Sequence, residues 1–163
     1  MDGWATISGG PVTTKLGEFP QGVEFFAMTG STRRLCVLVV EDETLIRWSI
    51  AETLAQKGHR VVEASDASGA VRALSSEPDQ IDVVLLDYRL PDSDDLGLLK
   101  NVRRLSPESA VVMMTAFGTP EVTKDALDLG AYRVLNKPFD IHGIEPLLQE
   151  AHDSRAGGST RPH

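Results

Sequence analysis

Cysteine is almost missing from this 163-residue chain: Cys36 stands alone inside an apolar run. No intramolecular disulfide can form, and a reducing interior is the expected setting. Long hydrophobic stretches are missing too. The longest purely apolar run is the six residues 35–40, too short for a transmembrane helix. The first twenty residues lack a basic start followed by an apolar stretch, so no secretory signal is expected. Together these point to a cytoplasmic location. Basic residues are scarce, with 16 Lys plus Arg against 24 acids and a net charge of −8. The imbalance is concentrated in residues 35–152, which carry 20 acids and 11 bases. Wrapping nucleic acid or lying on anionic lipid needs a basic surface, so neither partner is expected for this chain alone. Aromatics are only 6%, yet 41% of the residues are hydrophobic and 25% charged. That balance excludes a disordered or fibrous chain and suits one domain of about 100–150 residues.

Residues 1–34 hold six glycines, two prolines and scattered aromatics (Trp4, Phe19, Phe25, Phe26) with neither a helical nor a strand period. They are expected to form a flexible N-terminal tail, with Met28 as an alternative start. Residues 153–163 are polar and short, and are expected to be a disordered C-terminal tail. Between them, residues 35–152 alternate in type. Leu35-Cys-Val-Leu-Val-Val40 is β-branched and apolar, a strand buried on both faces. Residues 44–57 follow with Leu45, Ile46, Ile50 and Leu54 at the spacing of one helical face, closed by Gly58. The pattern repeats: strand 59–63, helix 66–76, strand 81–86, helix 96–105, strand 110–114, helix 120–129, strand 132–135 and a last helix over 140–152. Five strand–helix pairs imply an α/β fold, a parallel sheet with helices on both faces in three layers. Crossovers in such a sheet are right-handed, and ligands bind outside the carboxyl ends of its strands.

Those ends carry the chemistry. The first strand stops at Glu41 and Asp42, the third at Asp87, the fourth at Thr115, and the fifth just before Lys137. An Asp at a strand end is usually only a helix cap or a solvated loop residue. Four matching ends alter that reading. At an effective dielectric of about 20, two carboxylates roughly 5 Å apart repel by about 3 kcal/mol, so the cluster requires a cation. An oxygen-only set without Cys or His favours Mg²⁺, or Mn²⁺, over zinc. A hydroxyl and an ammonium suit phosphoryl oxygens. The combination points to phosphoryl transfer.

Val39-Val-Glu-Asp-Glu43, Leu85-Leu-Asp-Tyr-Arg-Leu-Pro-Asp92, Met114-Thr-Ala-Phe-Gly118 and Leu135-Asn-Lys-Pro-Phe-Asp140 resemble, in order and spacing, the receiver domains of two-component response regulators. The resemblance spans residues 35–152, and Ile46-Arg-Trp48 and Thr115-Ala-Phe-Gly118 are most similar to receivers of the nitrogen-regulator class. It implies a CheY-like, flavodoxin-like doubly wound sheet of five parallel strands in order 2-1-3-4-5 with five helices. It implies that Asp87 accepts a phosphoryl group from a phosphohistidine on a sensor histidine kinase or phosphotransfer protein. Asp42 would ligate Mg²⁺ directly, Glu41 through water, and Asp87 and the main-chain carbonyl of Arg89 would complete the metal set. Thr115 would donate its hydroxyl to the phosphoryl group and Lys137 would neutralise another oxygen, after a cis Lys137–Pro138 bond. Signalling would reach an unknown downstream protein, or a homodimer, through the fourth helix, fifth strand and last helix. The loop after Thr115 and the following helix would be the moving element. Arg89 and Phe117 occupy positions that tune water access in this family.

The sequence departs from that pattern in three places. Val134 stands where the family has a switch aromatic; Tyr132, two residues earlier, is expected on the same strand face as a partial substitute. Asp95 replaces a turn glycine, and left-handed strain is expected there. Gly143 and Pro146 interrupt the last helix, which is expected to kink or to begin near Glu145. Trp48 is expected to pack at a helix surface, Met113 and Met114 in a core strand. His59, His142, His152 and His163 have no metal-ligand spacing and are expected at the surface or terminus. Two other functions compete. A Mg²⁺-dependent phosphatase of the haloacid-dehalogenase type needs a second Asp two residues past its nucleophile, where this chain has Arg89. A receiver-like interaction module working without phosphate is suggested by Val134. On the favoured reading the chain is a regulatory phospho-acceptor whose only chemistry is self-catalysed phosphoryl transfer and autodephosphorylation.

Overall fold

The structure, a computed structural model, describes residues 4–6, 13–15, 32–77 and 79–158. Met28 and His163 lie outside them, as does most of the expected N-terminal tail. The chain divides into two units, residues 1–32 and 33–163.

In the first unit, β1 (Trp4–Thr6) pairs antiparallel with β2 (Thr13–Lys15), Ala5 opposite Thr14. Neither segment shows a strand period in the sequence. Threonine and tryptophan favour strands, but three residues are too few to show a period.

The second unit alternates β3 (Cys36–Val40), α1 (Thr44–Gln56), β4 (Arg60–Ala64), α2 (Ala67–Ser76), β5 (Val83–Asp87), α3 (Gly97–Leu105), β6 (Ala110–Thr115), α4 (Pro120–Asp128), β7 (Arg133–Asn136) and α5 (Ile144–Gly158). The five strands are parallel in the order β4-β3-β5-β6-β7, the doubly wound arrangement expected. Register keeps their carboxyl ends level: Val40 pairs with Ala64 and Leu86, Asp87 with Met114, and Thr115 with Asn136.

Alternation sorts the strand residues onto two faces. Leu38, Val84, Leu86, Val111 and Met113 pack under Ala70 and Leu74 of α2, Leu98, Leu99 and Val102 of α3, and Ala126 of α4. Val37, Val39, Leu85, Val112 and Met114 pack under Ile50 and Leu54 of α1 and Leu147, Leu148 and Ala151 of α5. Each fully buried Leu or Met contributes about 1.5–3 kcal/mol of transfer free energy, so two such layers outweigh the weak propensities of the short strands. Local signals set the helix starts. The Asp66 carboxylate accepts from the Gly69 amide at 2.6 Å, and the Thr119 hydroxyl from the Val122 amide at 3.2 Å, just before Pro120. Gly130 ends α4 at φ +104°, and a Cβ there would lie 2.9 Å from Arg103 Nε.

Four details differ from the sequence expectation. His59 is buried rather than at the surface: its Nδ1 accepts from the Leu35 amide at 3.0 Å and its Nε2 lies 3.0 Å from Glu145 Oε1. Tyr132 packs with the α1–α5 face while Val134 packs with the opposite one. Because β7 begins only at Arg133, the pleat does not carry back to Tyr132. Asp95 carries no left-handed strain, since no non-glycine residue among those described has positive φ. Its Oδ1 instead accepts from the Gly97 amide at 2.7 Å, a side-chain turn that does the work of a glycine. Finally, α5 runs past His152 to Gly158, so the first six residues of the expected C-terminal tail are helical. Arg155 holds that turn by donating to the Pro107 carbonyl at 2.6 Å. Pro146 falls in the first turn of α5, where a missing N–H costs nothing, and Gly143 in the preceding 3-10 turn, Ile141–Gly143. Among the described residues no helix is long and apolar enough to cross a membrane.

Candidate functional site

The level strand ends bring distant residues into one crevice. Glu41 and Asp42 follow β3 directly, and Asp87 closes β5. One carboxylate oxygen from each lies within 4.8 Å of the others. Glu41 is fully buried, Asp87 6% exposed, and Asp42 open to solvent. Lys137, just past β7, places its Nζ 2.6 Å from Glu41 Oε2 and 3.2 Å from Asp87 Oδ2. The Lys137–Pro138 bond is cis, as expected. Thr115, 2% exposed at the end of β6, is tied to Lys137 through the main chain: the Lys137 amide donates to the Thr115 carbonyl at 2.8 Å. Its hydroxyl accepts from the Phe117 amide at 3.2 Å. The Arg89 amide approaches Asp87 Oδ1 at 3.4 Å, and the Arg89 guanidinium sits 5.5 Å from the centre of the exposed Phe117 ring.

The residues singled out from sequence therefore meet. Glu41 is buried rather than solvated. Burial pushes its carboxyl up to about 7, against the downward pull of the Lys137 and Glu43 hydrogen bonds, with the Asp87 charge adding to the rise. Burial would lower the Lys137 ammonium, but the Glu41 hydrogen bond and the Asp87 charge outweigh it and hold the group above its ordinary value. Lys137 thus pairs with two of the three acids, Glu41 and Asp87, and among the described residues leaves the Asp42 carboxylate without a cation in contact. Oxygen donors alone, close together and partly unneutralised, fit a hard divalent ion. Among the described residues neither His nor Cys joins the cluster.

Two residues escaped the sequence reading. A Cβ at Gly118 would lie 2.7 Å from Thr115 Cγ2 and 3.0 Å from Asn136 Oδ1, so the β6–α4 loop closes on Thr115 only without a side chain. Arg47 donates through Nη1 to the Glu41 carbonyl at 2.8 Å. Only the short segments Ile46-Arg-Trp48 and Thr115-Ala-Phe-Gly118 hinted at a role.

A sheet in this order, with acids, a hydroxyl and a lysine at its strand ends, defines a receiver domain. Residues 37–149 match the response regulator receiver domain family, and the chain belongs to it. It is therefore a regulatory domain of a two-component response regulator. The DNA-binding transcriptional regulator NtrC of Proteus hauseri is 36% identical over 115 residues, 71% of this chain and 24% of that protein. The transcriptional regulatory protein PdtaR of Mycobacterium tuberculosis (strain ATCC 25618 / H37Rv) is 35% identical over 118 residues, 71% of this chain and 55% of that protein. The chain thus spans a quarter to a half of these curated relatives. Among solved structures, NtrX from Brucella abortus aligns with a TM-score of 0.70 at 31% identity, over 78% of this chain and 28% of its own. A CheY-like receiver domain from Methanospirillum hungatei JF-1 aligns with a TM-score of 0.71 at 24% identity, over 77% of this chain and 99% of its own, which speaks to fold alone.

Proposed function

We propose that this receiver domain accepts a phosphoryl group on Asp87 from a phosphohistidine of a sensor kinase or phosphotransfer protein, and thereby switches a binding surface. The observation that carries the reading is the meeting of three carboxylates within 4.8 Å, two of them in contact with Lys137 Nζ. An Asp87 carboxylate oxygen forms the new P–O bond while the P–N bond breaks, and its electron pair stays with the leaving imidazole. Lys137 trades part of its contact with Glu41 and Asp87 for a phosphoryl oxygen, and Thr115 turns its hydroxyl to another. Asp42, Asp87 and the Arg89 carbonyl, with Glu41 behind them, are the groups that would hold Mg²⁺, or Mn²⁺ in its place. When bound, the ion supplies positive charge that offsets the acids and the phosphoryl oxygens.

The output runs through the β6–α4 loop and α4, β7 and α5, where Leu127 is 44% exposed, toward a downstream protein or a second copy. The NtrC relatives are named as DNA-binding transcriptional regulators, and we extend to this chain a regulatory role within a larger protein. DNA contact would fall to a segment other than this acidic domain. The cytoplasm is the compartment in which such a relay operates.

Val134 favours a second reading, an interaction module that works without phosphate, because no aromatic switch fills that half-buried place on β7. Incubation with Mg²⁺ and acetyl phosphate, read by intact mass, separates the two. Gain of one phosphoryl group, lost in Asp87→Asn, supports the first. An unchanged mass supports the second, and turnover of unrelated phosphomonoesters would support a phosphatase.

A further inference from the structure

We propose that Arg47 is a positioning residue for the divalent cation: it grips the main chain at Glu41 and Asp42 so that both carboxylates face Asp87. This rests on the reading of the site as a cation-dependent phospho-acceptor.

Arg47 sits in the first turn of α1, its side chain 18% exposed. Its Nη1 donates to the Glu41 carbonyl at 2.8 Å and lies 3.5 Å from the Asp42 carbonyl. Its Nε faces the other way, 3.3 Å from Glu63 Oε1 on β4. On the opposite side of the same residue, the Glu41 amide donates to the Ala64 carbonyl at 3.0 Å. The peptide groups flanking Glu41 are thus held from β4 and from α1 at once. The Glu43 amide adds a third tie, donating to Glu41 Oε1 at 3.1 Å.

Geometry explains why an arginine stands here. Glu41 is wholly buried, and a buried carbonyl without a donor is costly, so its orientation is tied to Arg47. Nη1 donates to the loop carbonyls along one edge of a rigid plane, while another edge, at Nε, lies beside the Glu63 carboxylate as an ion pair. A lysine offers one ammonium and cannot span both. Groups that hold the ligands of a metal, without touching it, set its affinity through their orientation.

The test uses Mg²⁺ alone, titrated against the full chain, with the fluorescence of Trp48, 58% exposed on the same helix, as the readout. Arg47→Ala is expected to weaken Mg²⁺ binding roughly tenfold or more, with the near-ultraviolet circular dichroism of a folded domain retained. Arg47→Lys keeps the charge and is expected to recover less than half of that loss on a logarithmic scale. Affinity within about twofold of wild type in a folded Arg47→Ala protein would overturn the proposal, as would full recovery by lysine. Should Arg47→Ala fail to fold, Glu63→Gln frees the anchor alone and is expected to weaken Mg²⁺ binding about two- to fivefold. Unchanged affinity there would overturn it equally. Wild-type protein that binds Mg²⁺ but gains no mass with acetyl phosphate would sink the functional reading and leave the clamp standing. Wild-type protein that binds no Mg²⁺ would sink both.

Discussion

Neutralising Asp42 should stabilise the metal-free domain while removing its response to Mg²⁺. Asp42 is exposed and has an oxygen within 4.8 Å of oxygens on both Glu41 and Asp87, while Lys137 contacts only the latter two. At an effective dielectric of about 20, each such pair repels by about 3 kcal/mol before screening. Solvent at the exposed Asp42 carboxylate reduces this to about 1 kcal/mol. Asp42→Asn keeps the shape and removes the charge. In EDTA its thermal midpoint is expected about 2–4 °C above wild type for a domain of this size. Added Mg²⁺ raises the midpoint of a protein that binds it only when folded, so wild type should rise and Asp42→Asn should not. Differential scanning fluorimetry with and without EDTA gives all four values. A variant that melts below wild type in EDTA, or that rises equally with Mg²⁺, would refute the electrostatic account of the cluster.

Glu145→Leu strands the buried His59 Nε2, whose partner sits 3.0 Å away, and should cost about 1–3 kcal/mol in urea unfolding. Leu148→Ala, at a fully buried position under the sheet, should cost about 2–5 kcal/mol by the same assay. Asp92 caps α2 from across the fold, accepting from the Ala67 amide at 2.7 Å and the Ser68 amide at 3.0 Å. The Ala67 hydrogen bond, with those of Ser68, holds its carboxyl below the ordinary value. Its contribution is therefore present above the unfolded pKa and lost as pH falls through the lower folded one. Urea midpoints taken from pH 7 down to pH 3 should show a shallower acid loss for Asp92→Asn than for wild type.

The fold was legible because strand burial and helix spacing are signalled locally: six apolar residues before Glu41, or Leu45, Ile46, Ile50 and Leu54 before Gly58, have few other readings. The site followed, since a parallel sheet fixes where strand ends lie, and Asp87 and Lys137 came together on that ground alone. What escaped depended on side chains reaching across elements. Nothing near His59 announces Glu145, 86 positions away. Tyr132 lies one residue before the pleat of its strand begins, so period two does not govern it. Asp95 was expected to strain where a hydrogen bond to the Gly97 amide instead shapes the turn. The polar residues after His152 give no helical period, although Arg155 fastens the next turn to the Pro107 carbonyl.

Localising the modified side chain tests the central claim most directly. After acetyl phosphate and Mg²⁺, borohydride reduction converts an acyl phosphate on aspartate to homoserine, which tandem mass spectrometry places in the sequence. Homoserine at position 87 alone, and absent when EDTA replaces Mg²⁺, is the predicted outcome. Label on another carboxylate, or on Asp87 to the same extent in EDTA, would contradict it.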